Sequence, residues 1–164
     1  TALLERFSNL AVLKTLSKAQ ALAGARIGCV IADAGLITVL KACQAPYPIS
    51  KPSAEIALAA FAPANLARTY EGISACLGER GRMQEALTAL PVVRRVFESA
   101  ANFLLVRFDD SAAVCRYLLE RGIIVRAMTQ YPAITDCLRI SIGTPDENAA
   151  LLTALNTFSR ASHA

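Results

Sequence analysis

Two short apolar runs flank a loop built almost entirely from small residues, and this constrains the first third of the chain more than any other feature. Leu10-Ala11-Val12-Leu13 and Ile27-Gly28-Cys29-Val30-Ile31-Ala32 each read as a buried strand. The loop between them carries Ser17, Lys18, Gly24 and Arg26. Lys18 is one of four lysines, with Lys14, Lys41 and Lys51. It alone has a hydroxyl before it, small residues after it and an arginine eight positions on. A lysine at a strand end, in a loop too small to shield it, presents a free amine to whatever binds there.

An amine attacks an aldehyde only when unprotonated, and burial or cationic neighbours lower its pKa toward that state. The pattern suits a Schiff-base lysine, and pyridoxal 5'-phosphate is the natural aldehyde partner, with a ring that acts as an electron sink. Its phosphate needs donors and a cation. Ser17 offers a hydroxyl and Arg26 a planar fork matched to phosphate oxygens. Gly24 would let the backbone approach closely. The plain alternative is a surface lysine in a strand connection, with Ser17 as a turn residue. For a bare Ser-Lys pair that alternative prevails; for the whole string 15–26 the cofactor reading does.

Downstream, residues 35–43 have helical spacing, with Leu36, Val39, Leu40 and Cys43 on one face. Ala45-Pro46-Tyr47-Pro48 breaks the helix. Ser50 can cap a second helix running to Phe61. A long helix follows from Asn65 to about Leu87, with Gly72, Gly78 and Gly81 as weak points, and leads into a smaller α+β unit. Within that unit 92–97, 103–108, 123–126 and 138–142 read as strands, and 111–121 as a helix closed by Gly122. Thr144, Pro145 and Glu147 form a capping box opening a last helix, whose apolar face is Leu151, Leu152, Leu155 and Phe158. The expected domains are 1–75 and 76–164.

The string Ser17-Lys18-Ala19-x-x-Leu22-Ala23-Gly24-x-Arg26-x-Gly28 resembles the cofactor-lysine signature of fold-type I, class II aminotransferases. Residues 9–18, Ala45-Pro46-Tyr47-Pro48-Ile49-Ser50, 101–108, 122–126 and 137–144 resemble the histidinol-phosphate aminotransferases in particular. Gln20 departs from the pattern, standing where that family usually carries an aromatic residue. The resemblance implies an α/β chain: the C-terminal part of the large cofactor-binding domain, then a small α+β domain. It implies pyridoxal phosphate on Lys18, with Ser17 and Arg26 at its phosphate. It also implies an upstream half, not part of this sequence, carrying an aspartate for the pyridinium nitrogen, an asparagine and a tyrosine near the ring hydroxyl, and a phosphate loop. This chain is therefore expected to be a C-terminal portion, inactive alone, of a homodimeric cytoplasmic enzyme of histidine biosynthesis that uses histidinol phosphate and glutamate or 2-oxoglutarate.

The same resemblance singles out two arginines. In Leu138-Arg139-Ile140-Ser141-Ile142 the period is two, with Arg139 and Ser141 opposite the apolar positions. By pattern alone Arg139 is a solvent-facing edge residue; by resemblance it recognises the substrate anion. Arg126 lies thirteen positions earlier, and a strand-loop-strand path can bring both guanidinium groups to one pocket suited to a phosphate or carboxylate. Asn102 is expected to serve strand entry. Tyr47 is weighed evenly between substrate contact and turn packing.

Composition excludes several classes. The net charge of +4 comes from scattered residues, with Arg94-Arg95 the only adjacent basic pair, so nucleic acid is not an expected partner. Hydrophobic residues make up 54% of the chain, yet no apolar run reaches the ~20 residues of a membrane span. Such apolarity suits half of a large interface. Cys29, Cys43, Cys76, Cys115 and Cys137 lack metal-site spacing and read as buried thiols. His163, the one histidine, reads as tail. Two other readings stand beside the main one. One is a related enzyme acting on aromatic amino acids or a phosphorylated amino alcohol; the other is a non-catalytic remnant or partner-binding domain.

Overall fold

The computed structural model describes residues 2–162, so His163 lies outside the described residues. The helices are α1 (Ala2–Arg6), α2 (Ala34–Cys43), α3 (Lys51–Ala60), α4 (Pro63–Thr88), α5 (Ser111–Leu119) and α6 (Pro145–Ser162). The strands are β1 (Val12–Thr15), β2 (Gly28–Ile31), β3 (Val93–Val96), β4 (Phe103–Phe108), β5 (Arg126–Ala127) and β6 (Cys137–Ser141). Short 3-10 turns occur at Ala23–Ala25 and Pro132–Ile134. The chain divides into two compact units between Ile73 and Ser74, inside α4.

In the first unit β1 and β2 form an antiparallel ribbon, with Val12 opposite Ile31 and Thr15 opposite Gly28. The ribbon takes in polar Lys14 and Thr15, two residues beyond the apolar run. Its strands are not buried: Leu13 is 76% exposed, and Val30 and Ile31 are also open. The apolar faces of α2 and α3 are likewise open, at Val39 and Leu58 for example. Two strands cannot wall off a core, and within this unit no second layer covers them. Apolar sequence correctly marks strands that need cover, but the covering surface is not among these residues. Helix ends follow local chemistry. Asp33 Oδ1 accepts from Gly35 N at 2.8 Å to start α2, and Ser50 Oγ accepts from Ser53 N at 3.3 Å to start α3. Helix α4 runs unbroken through Gly72, Gly78 and Gly81. Each costs about 1 kcal/mol against alanine without being a break.

The second unit has its own core. Its antiparallel sheet has the order β3-β4-β6-β5, with Leu104 opposite Ile140 and Val106 opposite Leu138. Period-two alternation sends Leu104, Val106, Phe108, Leu138 and Ile140 to one face. There they meet Met83 and Leu87 of α4, Val114 and Leu118 of α5, and Leu151 and Leu155 of α6. Asp110 caps α5 by accepting from Ala113 N at 2.9 Å, and Gly122, at φ +73°, turns the chain out of it. The capping box is present: Glu147 Oε2 accepts from Thr144 N at 2.8 Å, and Thr144 Oγ1 accepts from Glu147 N at 3.3 Å. The reaching carboxylate lies so close over Gly143 that an added Cβ there would sit 2.6 Å from Glu147 Oε2.

Two further sequence expectations need correction. The strand expected over 123–126 pairs only at Arg126 and Ala127. Ile123 N is engaged by Leu118 O at 3.0 Å in closing α5, and Ile123 and Val125 pack against the core, so the run is spent on loop packing. Nor are the thiols all buried. Cys137 is; Cys29 and Cys43 lie exposed on the uncovered first unit, and Cys76 and Cys115 are half-buried.

A buried polar link ties α4 to α6. Asn148 donates to Glu79 Oε2 at 2.7 Å and to Gly143 O at 3.0 Å, while Arg82 donates to both oxygens of the Glu79 carboxylate, at 3.0 Å to Oε1 and 2.7 Å to Oε2. Hydrogen bonds from Arg82 and then Asn148 pull the Glu79 pKa down from 4.5 to about 2. A depressed carboxylate pKa adds stability that is complete above pH 4.5 and is lost as pH falls through about 2. Acid unfolding monitored by circular dichroism should show that dependence, and Glu79→Gln should flatten it. An unchanged profile in the variant would refute the assignment. Burial predicts a second contrast. Leu104→Ala should weaken the second unit by about 2–5 kcal/mol, while Leu13→Ala on the open ribbon should cost under about 0.5 kcal/mol. Hydrogen exchange at the β4 and β6 amides reads the first, and at the β1 and β2 amides the second.

Candidate functional site

The loop after β1 is closed by its own backbone. Leu16 N donates to Ile27 O at 3.1 Å, one step beyond the last ribbon pair, and Leu22 N folds back to Leu16 O at 3.0 Å. Ser17 follows Leu16 and Arg26 precedes Ile27, so this closure brings Ser17 and Arg26 to one mouth. Ala21 and Arg26 both take left-handed backbone conformations, at φ 55° and 56°, and α3 packs against the Ala23–Ala25 turn. Such conformations cost non-glycine residues energy and persist only where their surroundings enforce them.

At this mouth the Lys18 side chain is exposed, and among the described residues its amine has no hydrogen bond or ion pair. Arg26 spends one N–H on Ala23 O at 3.1 Å and leaves the rest of its fork open to solvent. Ser17 Oγ accepts from Thr15 Oγ1 at 2.8 Å, and Thr15 Oγ1 accepts from Ser17 N at 3.1 Å. Thr15 therefore orients Ser17, a role sequence reasoning missed; the signal was a Thr-x-Ser spacing that favours local hydroxyl turns. Gly28 adds a role the sequence did not signal: a Cβ there would lie 2.9 Å from Lys14 O, so glycine permits the close pairing of the two ribbon strands, while Gly24 stands in open space. A hydroxyl, a guanidinium and a free amine at one loop mouth fit a phosphate-bearing aldehyde cofactor.

The second unit assembles the two arginines. Arg126 and Arg139 are direct register partners on β5 and β6, so their side chains leave the same sheet face, opposite the core. Like charges placed directly opposite destabilise a sheet unless something anionic meets them. Arg126 is exposed. Arg139 is half-buried, with its Cζ 5.1 Å from the centroid of the Phe103 ring. Its Nε is fully buried without a hydrogen-bond partner among the described residues. On the same face Arg107 is neutralised by Asp136 at 3.0 Å, which lowers the Asp136 pKa against the opposing effect of burial. Asn102 acts through its backbone, its carbonyl accepting from Ile142 N at 2.9 Å. Tyr47 is 97% exposed at φ 56°, so turn packing does not hold its ring. Among the described residues no helix is long and apolar enough to cross a membrane, and no three metal-ligating side chains cluster.

Comparison with known proteins follows the same outline. The family model for aminotransferase class I and II matches residues 1–155. The histidinol-phosphate aminotransferase of Stenotrophomonas maltophilia is 54% identical over 154 residues, covering 94% of this chain and 42% of that protein. That of Xanthomonas campestris pv. campestris is 51% identical over 153 residues, with 93% and 42% covered. The crystal structure of the histidinol-phosphate aminotransferase from Clostridium acetobutylicum superposes with a TM-score of 0.88 at 26% identity, over 98% of this chain and 48% of that one. The Sinorhizobium meliloti enzyme, solved in complex with pyridoxal-5'-phosphate, gives 0.76 at 26% identity, over 94% and 42%. The chain thus spans about two fifths of the length of the curated relatives it matches.

Proposed function

We infer the function from this premise: the chain belongs to the aminotransferase class I and II family. We propose that the protein it belongs to is a histidinol-phosphate aminotransferase, passing an amino group between histidinol phosphate and 2-oxoglutarate or glutamate in histidine biosynthesis. What supports this is the loop closure at Leu16 and Ile27, which brackets Ser17, Lys18 and Arg26, in a chain about half identical to histidinol-phosphate aminotransferases. In this reading the first unit is part of a large cofactor-binding domain and the second a small domain, as set out for 1–75 and 76–164. The open apolar surface of the first unit suits cover by further chain or by a second subunit, in a homodimeric cytoplasmic enzyme.

Pyridoxal phosphate, when bound, supplies the electron sink for the carbanion formed at the substrate carbon. Ser17 Oγ–H and the open N–H groups of Arg26 hold its phosphate, and Thr15 keeps the Ser17 hydroxyl in place. Lys18 Nζ would hold the cofactor at its aldehyde carbon. The same amine would carry the proton at the substrate Cα, as general base and then general acid. Arg139 and Arg126 receive the substrate anion: the phosphate of histidinol phosphate in one half-reaction, the carboxylate of glutamate in the other. A dianion gains more from the second guanidinium than a monoanion does.

Two outcomes test this in the full-length enzyme. Lys18→Ala should lower turnover of histidinol phosphate with 2-oxoglutarate by at least about 10²–10⁴-fold, the usual worth of a positioned proton carrier. Borohydride should fix a pyridoxyl group on Lys18 in the wild type, and labelling of another lysine instead would sink the assignment. Failure of the wild type to transaminate histidinol phosphate, with turnover of phenylalanine, would move the reading to a related aminotransferase. Arg139→Ala should raise KM for both substrates by about 10- to 100-fold, matching lost charge-assisted hydrogen bonds. Arg126→Ala should weaken histidinol phosphate more than glutamate; equal losses would refute that division of labour.

A further inference from the structure

We propose that Phe103 is the positioning residue of the anion site, its ring face holding the Arg139 guanidinium so that the arginine's charge stays free for substrate. This rests on the reading of Arg139 as the group that meets the substrate anion. Phe103 lies opposite Ser141, and Arg139 opposite Leu105, so the two form a diagonal pair on one sheet face. Diagonal neighbours are within reach when one side chain is aromatic and the other long. The separation of 5.1 Å from Cζ to ring centroid lies inside the range in which a ring face attracts a cation. The backbone that carries the ring is held at both carbonyls. Ser99 Oγ donates to Phe103 O at 2.6 Å, and Ile142 N donates to Asn102 O at 2.9 Å, which pins the start of β4.

The contrast with neighbouring arginines gives the ring its meaning. Arg82, Arg94 and Arg107 are each held by a carboxylate, from Glu79, Asp109 and Asp136. A carboxylate fixes a guanidinium but neutralises it, and a substrate anion must then displace that partner. A ring face fixes it through the quadrupole and leaves the hydrogen-bonding edge uncommitted. Arg95 also lies over a ring, that of Phe97, but it is exposed. Arg139 alone among these combines a ring contact with a buried Nε that has no partner. Arg126 directly across the ladder repels it, so without the ring Arg139 would swing toward solvent and lose the orientation an anion needs.

The test uses arginine side-chain NMR on the isotopically labelled 164-residue chain, with inorganic phosphate as probe. Wild type should show an Arg139 Nε–H resonance shielded by the ring and shifted by phosphate. Phe103→Leu should abolish the shielding and raise the apparent Kd for phosphate by about 2- to 30-fold, the range equivalent to a cation–π contact. Phe103→Tyr, which keeps a ring, should restore both. Phe103→Met serves as the same test if leucine loosens the sheet, judged by the β4 and β6 amides. An Arg139 signal that ignores phosphate in wild type, or one whose shielding and affinity survive loss of the ring, overturns the proposal. These readouts need neither cofactor nor Lys18. Failed turnover of histidinol phosphate with this pattern intact therefore counts against the transamination reading and not against this one.

Discussion

Strict alternation along β4 and β6 is the constraint on which the second unit depends. Leu104, Val106, Phe108, Leu138 and Ile140 are all essentially sealed from water, and together they form the floor on which α4, α5 and α6 rest. A slip of one residue would turn that floor outward and carry Arg139 into the core. The hydrophobic effect on one face thus fixes the position of charge on the other. The register that buries Leu138 and Ile140 also sets Arg139 and Arg126 opposite each other.

Much of this was legible in the sequence, for reasons that differ by element. The caps at Ser50 and Thr144, the turn at Gly122 and the alternating strands 103–108 and 137–141 are decided locally, by side chains within a few residues of the backbone they bond. What was not legible depends on partners far away in sequence. The 123–125 run has strand composition, but α5 and the core compete for it. Cys29 and Leu13 have buried-residue chemistry with nothing among the described residues to bury them. The bond between Asn148 and Glu79 joins residues 69 positions apart and leaves no local pattern at all.

At the loop mouth the residue types were readable and their division of labour was not. One backbone hydrogen bond, Leu16 to Ile27, closes the loop that carries Ser17, Lys18 and Arg26. Thr15 and Gly28 matter for what they do to neighbours, one steering a hydroxyl and the other clearing space over Lys14 O. The arginine pair shows a comparable trade. Two cations facing each other across a ladder weaken the sheet, and the fold tolerates them on strong pairing elsewhere, a pattern expected where a site is built to receive charge.

The Glu147 carboxylate that closes the capping box also occupies the space over Gly143. The two positions are therefore not independent letters in the sequence. A methyl group at 143 strikes the side chain that makes the cap, so freedom at 143 opens only when the reach-back at 147 is given up. Among relatives that keep this strand-to-helix corner, the pair should drift together or not at all, and an engineer changing either one is in effect changing both.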